Sequence, residues 1–254
     1  ANPSGIQVNG AGFINAQSAT LTTGTPNFNG NTITGYTVNQ GQIQINGAGL
    51  DASTTDYTAL MARAVQINAG VWAKQLDVIA GANQINIGSP AASPVSIGLA
   101  ASTGAAPAFA IDVASLGGMY AGKIFLVGTE AGVGARNSGT IMGTSAAQYA
   151  GAGDVTISVN GLLTNKNTIQ SDGAMQITAG TTAVGGVVNT GTVYSASASS
   201  ITTNGNVSNA GQIAAQGNLA LTANGANSNI VSTNASLLAA GISSAGILGT
   251  QGAG

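Results

Sequence analysis

Residues 163–180 read LTNKNTIQSDGAMQITAG, and two later stretches follow the same plan: VVNTGTVYSASASSITTNG at 187–205 and VSNAGQIAAQGNLALTANG at 207–225. Each stretch contains an asparagine, a polar turn, an aliphatic residue, a second turn and an alternating segment that ends in glycine. Self-similarity of this kind is the sequence signature of a repeat architecture. We therefore predict that the C-terminal third consists of stacked units of one kind.

Two sets of residues occupy equivalent positions in these copies. The asparagines are Asn165, Asn189 and Asn209, and a looser copy at 136–141 places Asn137 ahead of them. The aliphatic residues are Ile157, Ile177, Ile201 and Leu221, which are separated by 20, 24 and 20 residues. Because equal positions superpose in a solenoid, we predict one inward aliphatic column and a structural ladder of hydrogen-bonded asparagines near a common corner.

The alternating runs within each copy are too short to form a stable sheet alone. Coiling the chain solves this problem, because strands of successive coils then pair in parallel at about 4.8 Å and aliphatic side chains fill the interior. The chain length predicts roughly a dozen coils in a rod about 55–60 Å long. The alternative is a sandwich or propeller of antiparallel hairpins, which the single period disfavours.

The first half of the chain fits this all-β scheme less regularly. Alternating runs occur at 42–45, 65–68, 76–79 and 85–87. The segment STTDYTALMARA at 53–64 is predicted to form a short helix outside the coil, since Ser53 and Asp56 resemble an N-terminal capping arrangement. The Ala-, Ser- and Pro-rich stretch at 89–109 is predicted to be a loop packed on the side of the rod.

Charge is scarce in this chain. Only 5% of its 254 residues are charged and the net charge is −2, whereas ordinary soluble domains contain about 25% charged residues. The five cations are dispersed, so the sequence has neither the basic stripe of a nucleic-acid-binding protein nor a polybasic membrane patch. Cysteine and histidine are absent, which excludes disulfides, thiolate metal sites and the usual triad base. We expect no metal and no cofactor.

Several short patterns resemble binding or catalytic motifs, and each has a simpler interpretation. GGMYAGKI at 117–124 resembles a phosphate-binding loop, but Ile124 replaces the magnesium-binding hydroxyl residue. We therefore interpret this segment as a corner of the coil. GAGDV at 151–155 occurs once, without the tandem pattern of calcium-binding repeats. Trp72 suits a sugar-binding platform, although a lone tryptophan in a strand is more often packed against its own loop.

The acidic residues offer one candidate catalytic cluster. It comprises Asp51, Asp56 and Asp77, with Arg63 and Lys74 nearby in the sequence. A polysaccharide-cleaving β-helix needs acids gathered on one face, and we interpret these residues instead as solvated or ion-paired surface groups. Glu130 and Arg136 are predicted to pair across a turn.

Three longer strings resemble, in order, the secretion-domain region of two-partner-secretion exoproteins, the family of filamentous haemagglutinins, haemolysin-type exoproteins and contact-dependent growth inhibition adhesins. They are NPSGIQVNGAGFINAQSATLTTG at 2–24, GAGLDASTTDYTALMARAVQINAGVWAKQLDVIAGAN at 47–83, and APAFAIDVASLGGMYAGKIFLVGTEAGVGARNSGTI at 106–141. The resemblance implies a right-handed parallel β-helix. It divides the chain into the C-terminal part of a secretion domain at 1–141 and haemagglutinin-type repeats at 142–254.

The resemblance also implies a function. It predicts a non-enzymatic adhesin or exoprotein shaft, secreted or displayed at the bacterial cell surface. The implied partners are an outer-membrane transporter of the two-partner-secretion type and a receptor on a host or neighbouring cell. The implied secretion-motif turn consists of Asn2, Pro3, Gly5 and Ile6.

Two features depart from the family pattern. Ser4 replaces the second asparagine of the usual Asn-Pro-Asn-Gly-Ile turn, and Val8 and Ala11 stand where many relatives have a Cys-x-x-Cys pair. In relatives this turn lies well inside the secretion domain, so the sequence is expected to begin partway along a longer rod.

Two other functional classes remain open. An uncapped β-helix end exposes unpaired strands, and low charge opposes stacking only weakly, so a self-assembling extracellular fibre with end-to-end association is the first alternative. A carbohydrate-active β-helix enzyme is the second, and the lack of histidine and the few acids disfavour it.

Overall fold

The computed structural model describes residues 1–88, 94–145, 151–180 and 185–246. These ranges contain twenty-six β-strands and no helix, and hence no helical candidate for a membrane span. The strands are β1 (Ile6–Gly12), β2 (Ser18–Thr22), β3 (Thr25–Asn29), β4 (Thr32–Val38), β5 (Gln42–Ala52), β6 (Tyr57–Ala62), β7 (Ala64–Ile67), β8 (Gly70–Ala80), β9 (Asn83–Ile87), β10 (Pro94–Leu99), β11 (Ile111–Val113), β12 (Gly118–Gly128), β13 (Ala135–Asn137), β14 (Thr140–Gly143), β15 (Val155–Val159), β16 (Leu162–Asn165), β17 (Thr168–Ser171), β18 (Met175–Ala179), β19 (Gly186–Asn189), β20 (Thr192–Ser195), β21 (Ser199–Thr203), β22 (Val207–Asn209), β23 (Gln212–Ala215), β24 (Leu219–Ala223), β25 (Ile230–Ser232) and β26 (Leu237–Ala240).

Twenty-two of these strands form one continuous parallel sheet that winds into a β-helix. Three strand positions recur in each coil and define three faces, illustrated by β16, β17 and β18 and by their partners β19, β20 and β21 in the next coil. Long strands such as β8 and β12 run through the corner between the second and third faces. The described residues make nine coils, which span about 38 Å at the spacing of paired strands. The all-β parallel β-helix is therefore confirmed, with fewer coils than the expected dozen.

The interior is built from columns of apolar side chains that superpose from coil to coil. On the third face, backbone pairing aligns Ile157 with Ile177, Ile177 with Ile201, and Ile201 with Leu221, which confirms the predicted column. The isoleucines are buried, and Leu221 is half-buried against the same core. The column continues towards the N-terminus through Leu126, Val78, Leu60 and Leu21.

A buried row of asparagines runs along the first face. The Nδ2 of Asn137 donates to Oδ1 of Asn165 at 2.8 Å, that of Asn165 to Asn189 at 2.7 Å, and that of Asn189 to Asn209 at 2.8 Å. Asn209 then donates to the hydroxyl of Ser232 at 3.2 Å. Each Nδ2 also donates to a main-chain carbonyl at the following corner, as Asn189 does to Gln212 at 2.9 Å. These bonds satisfy amides that would otherwise be costly to bury.

Four strands leave the coil and form a separate antiparallel sheet in the order β10, β9, β4, β3. A two-residue loop, Gly30 and Asn31, joins β3 to β4, and Gly30 has φ +60°, as hairpin loops of this length require. Val38 and Ile85 of this sheet pack on Tyr57, Met61 and Ile79 of the coil. The side sheet thus covers the third face over the N-terminal coils.

The predicted helix at 53–64 is wrong, because Tyr57–Ala62 is the coil strand β6. All six of its residues are buried: Leu60 and Ala62 face the interior, while Tyr57 and Met61 face the side sheet. A strand covered on both faces has a continuous apolar run without alternation, and such a run is hard to distinguish from one face of a helix.

The predicted loop at 89–109 is wrong in part. Residues 89–93 lie outside the described residues, and Pro94–Leu99 forms strand β10, paired with β9. No strand is assigned at 100–109. Because this excursion and the β3–β4 hairpin take chain away from the rod, fewer coils form than length alone predicts.

We predict that Asn189→Ala destabilises the chain by about 2 to 4 kcal/mol, because the substitution removes one member of a buried amide row and leaves neighbouring polar groups unpaired. Urea unfolding followed by circular dichroism measures this change. Asn227→Ala is the matched control, since Asn227 is exposed, and it should change the free energy of unfolding by less than about 0.5 kcal/mol. Equal effects of the two substitutions would contradict a stabilising role for the row.

Candidate functional site

The segment Asn2–Ile6 forms a tight turn at the corner before the first strand. The main-chain N–H of Gly5 donates to the carbonyl of Asn2 at 3.1 Å, and the N–H of Ser4 donates to Oδ1 of Asn2 at 3.2 Å. Asn, Pro and Gly at the first, second and fourth positions match the preferences of a type I β-turn. Gly5 has φ +124°, a conformation that side chains with a Cβ rarely adopt. The sequence therefore fixes the shape of the turn locally.

The turn is also held by the coil. The N–H of Asn2 donates to the carbonyl of Thr22 at 2.9 Å, which brings the start of the first coil next to its end. Pro3 lies against Gly41 of the second coil, where a Cβ would approach the Pro3 carbonyl oxygen to 2.7 Å. Ile6 pairs with Ile43 and packs on the core. Residues 1–4 are exposed, so the turn presents an ordered surface.

The residues that stand in place of the Cys-x-x-Cys pair have different surroundings. Val8 is buried in the core and pairs with Ile45, whereas Ala11 is exposed and pairs with Leu50 across a register shift. Val8 therefore contributes to packing next to the turn.

A buried ion pair anchors the side sheet. The guanidinium of Arg63 makes two bonds to the Glu130 carboxylate, Nε to Oε1 at 2.7 Å and Nη2 to Oε2 at 3.2 Å, and this pairing raises the pKa of Arg63. Arg63 also donates to the carbonyl of Thr103, and Glu130 accepts the N–H of Ala82 at 3.1 Å. Ala82 lies where the chain leaves the coil for the side sheet, and Thr103 lies where it returns. The ion pair thus joins the coil to both points.

The predicted pairing of Glu130 with Arg136 is wrong. Arg136 instead makes two bonds to Asp112, at 2.9 and 2.8 Å, and its guanidinium carbon lies 4.5 Å from the centre of the Phe109 ring. Asp112 and Arg136 are direct neighbours in paired strands β11 and β13, a register that sequence distance alone does not reveal. Both arginines therefore bind the returning segment to the coil.

The three candidate catalytic carboxylates have separate partners. Asp56 forms an exposed ion pair with Lys74 at 2.7 Å, and Asp51 is exposed, with a lowered pKa because the Ser53 hydroxyl and N–H donate to it. Asp77 is only 2% exposed, which contradicts its interpretation as a surface residue. The side sheet that covers Asp77 was not predicted, so its burial could not be foreseen.

Asp77 lies beneath the side sheet and accepts a hydrogen bond from the Tyr57 hydroxyl at 3.0 Å. Burial raises the pKa of this carboxyl from 3.8 to about 6, although the Tyr57 bond, Gln75 and the positive charge of Lys123 act in the opposite direction. Burial and the carboxylate together raise the pKa of Tyr57. Asp77 is therefore a group whose ionisation costs stability near neutral pH.

The remaining motifs lie in structural positions. Most of 117–124 belongs to strand β12, so the Gly-Lys pattern does not form a phosphate-binding loop. At 151–155, the Asp154 carboxylate accepts the N–H of Ala174 at 2.8 Å. No cluster of three metal-ligating side chains occurs among the described residues. Trp72 is 42% exposed, lies against Gly70 at the start of its own strand and stacks with Tyr120 of the next coil.

Comparison with known proteins gives a consistent result. The family model described as the TPS secretion domain matches residues 1–157. A protein of Yersinia pestis named Toxin CdiA is 46% identical over 195 residues, which cover 76% of this chain and 5% of that protein. The tRNA nuclease CdiA-2 of Burkholderia pseudomallei (strain 1026b) is 51% identical over 164 residues, covering 64% of this chain and 5% of that protein.

Among solved structures, a filamentous hemagglutinin secretion domain matches with 26% sequence identity and a TM-score of 0.48. The match covers 90% of this chain and 64% of that chain. The chain spans about 5% of the length of the curated relatives it matches.

We predict that Asp77→Asn stabilises the chain at pH 7 and leaves stability unchanged near pH 3.5. Between pH 3.8 and about 6 the folded state keeps a proton that the unfolded state loses, so the free energy of unfolding of the native chain falls as pH rises through this window. The substitution removes this loss, which corresponds to about 3 kcal/mol at most.

Urea unfolding at several pH values measures the difference between the native and variant chains. Asp51→Asn is the matched control: the pKa of Asp51 is lowered, so its removal should give no gain at pH 7. A parallel pH dependence of native and Asp77→Asn chains would show that Asp77 ionises without cost.

Proposed function

The chain belongs to the TPS secretion domain family, and from this premise we propose that the turn Asn2–Ile6 is a contact site for the outer-membrane transporter that exports it. Proteins with this domain are two-partner-secretion exoproteins, secreted and displayed at the bacterial cell surface. The turn has the best geometry for recognition, since residues 1–4 are exposed while Asn2, Pro3 and Gly5 are held by the coil. A preordered surface binds with less loss of conformational entropy than a mobile one.

The coil supports a role as a shaft that carries other parts of a longer exoprotein. Its apolar columns run from one described segment to the next, and the buried asparagines continue one of these columns from Asn137 to Asn209, a construction suited to a stiff rod. We infer an adhesin function for the whole exoprotein, with a receptor on a host or neighbouring cell. The matches to proteins named toxins and nucleases cover about 5% of each of those proteins, so their named activities are not assigned to this chain.

The carboxylates support a non-enzymatic role for the described segment. All seven accept a bond from a nearby group: Asp51 from Ser53, Asp56 from Lys74, Asp77 from Tyr57, Asp112 from Arg136, Glu130 from Arg63, Asp154 from Ala174 and Asp172 from Ser145. These local roles explain the acids without any catalytic pair. General acid–base cleavage of a glycan needs two acids facing one substrate.

We predict that the double substitution Asn2→Ala with Pro3→Ala in the full-length exoprotein lowers surface display about tenfold, because it removes the side-chain bond and the fixed φ angle that shape the turn. Surface display is measured with antibodies on intact cells that express the transporter. Ser4→Asn, which restores the usual family pattern, is the matched control and should be displayed at least as well as the native protein.

The unfolding midpoint of the isolated double variant separates recognition from folding. A midpoint within about 3 °C of the native value, together with reduced display, supports transporter recognition. Normal display of the double variant would contradict the proposed role of the turn.

We propose self-association of the separate 254-residue chain as a second property. Strand β1 pairs with β5 along one edge only, and within the described residues its other edge has no partner. Exposed backbone donors and acceptors on such an edge attract another strand, and a net charge of −2 opposes this weakly.

We predict that the chain associates with increasing concentration and that Gln7→Lys with Asn9→Lys reduces this association, because lysines on an edge strand disfavour pairing. Sedimentation velocity across a concentration series measures it. Gln176→Lys with Thr178→Lys is the matched control, since it adds equal charge to β18, which is paired on both edges. A strictly monomeric native chain at high concentration would contradict the proposal.

A further inference from the structure

Two aromatic rings lie side by side on the outer surface of the second face. Trp72 of β8 and Tyr120 of β12 are direct neighbours in paired strands. Their ring centres are 6.1 Å apart and their planes differ by only 15°. Trp72 is 42% exposed and Tyr120 is half-buried. We refer to these two side chains as the aromatic platform.

Glycines beneath the rings explain how the platform lies on the sheet. A Cβ on Gly70 would lie 2.5 and 2.8 Å from Cζ2 and Cζ3 of Trp72, with Cη2 nearer still. A Cβ on Gly118 would lie 2.6 to 2.8 Å from Cε2, Oη and Cζ of Tyr120. Because several atoms of each ring lie at similar distances from its glycine, one side of each ring covers the backbone. The 42% exposure of Trp72 leaves part of its ring open to a ligand.

Small polar and charged groups border the platform. Asp51 of β5 is the neighbour of Trp72 on the side away from Tyr120, and its carboxylate is exposed. Lys74 projects two residues beyond Trp72 on the same side of the strand and is paired with Asp56. The surface therefore combines a flat apolar area with hydrogen-bonding groups at its edge.

We propose that the aromatic platform binds a neutral saccharide. A pyranose ring has an apolar C–H side that fits a flat aromatic surface and a rim of hydroxyls that fits carboxylate and ammonium groups nearby. Polyanions such as nucleic acid or sulfated glycans also stack or pair with proteins, but they need a cationic groove. Asp51, Asp56 and Lys74 together carry a net charge of −1 and form no cationic groove, so this part of the border favours an uncharged ligand over a polyanion. The proposal is independent of the transporter-binding turn.

The platform contains its own reporter, because Trp72 is the one tryptophan of the chain. The experiment titrates the chain with cellohexaose, chitohexaose and maltohexaose and records tryptophan emission. We expect at least one of these neutral hexasaccharides to change the emission saturably. Heparin and polyadenylate serve as anionic probes and should leave it unchanged. No response to any of the three hexasaccharides, or a response to the anionic probes alone, overturns the proposal.

Variants locate the binding. Tyr120→Ala should weaken the affinity about tenfold, since it removes half of the stacking surface. Phe28→Ala is the matched control, because Phe28 is an exposed aromatic residue on the side sheet, and it should leave the affinity unchanged. Equal affinities of the native and Tyr120→Ala chains overturn the proposal.

A second measurement does not depend on the folding of any variant. Trp72 in the native chain is oxidised with N-bromosuccinimide in the presence and absence of the hexasaccharide that binds. Slower oxidation in its presence places the sugar on the platform. An unchanged oxidation rate at saturating sugar overturns the assignment.

Discussion

The structure depends on vertical register: a residue in one coil lies directly above and below its equivalents, joined by parallel backbone pairing. Because of this constraint, the residue type that fits at one buried position depends on the residues above and below it in the same column. On the first face, the column begins with Val8, Ile45, Ile67 and Val113 and then changes to Asn137, Asn165, Asn189 and Asn209. The side-chain amide of each asparagine in this column forms its hydrogen bonds because its neighbours are also amides. A single asparagine among the aliphatic residues would lack such partners.

Register also explains which parts of the fold could be predicted. The C-terminal coils have similar lengths, so Asn165, Asn189 and Asn209 recur at intervals that the sequence displays, and their vertical alignment follows. The segment around β6 has no such copy, and its apolar residues on both faces of the strand produce a pattern that also predicts a helix. The second apolar face of β6 packs against the side sheet, and strands β9 and β10 of that sheet come later in the chain. The loop Gly30-Asn31 is a local hairpin signal, but it lies outside the C-terminal repeats, whose single period favours a coil over hairpins.

The candidate sites also differ in how far they could be predicted, because some consist of consecutive residues and others of residues far apart in the sequence. The turn Asn2–Ile6 is encoded by consecutive residues, so its shape follows from turn chemistry alone. The ion pairs of Arg63 and Arg136 connect residues 67 and 24 positions apart, and the prediction paired Arg136 with the nearer acid. The sequence already marks Trp72 as a candidate sugar platform, but its pairing with Tyr120 could not be foreseen, since the two residues meet only because the intervening side-sheet excursion returns the chain to the same register.

The scarcity of charge is a further consequence of stacking. A charged residue repeated in every coil would place like charges about 4.8 Å apart along the rod, and their repulsion would grow with each coil. Neutral amides avoid this cost, and the exposed Gln7 and the half-buried Gln44 and Gln66 even bond in sequence, at 3.2 and 3.0 Å. Where charge does occur in a column, as at Asp112 and Arg136, opposite signs occupy successive coils. A rod of this kind presents mostly neutral polar surface. The exposed turn and the pair of aromatic rings are local exceptions to it, and these are the places where we propose that recognition occurs.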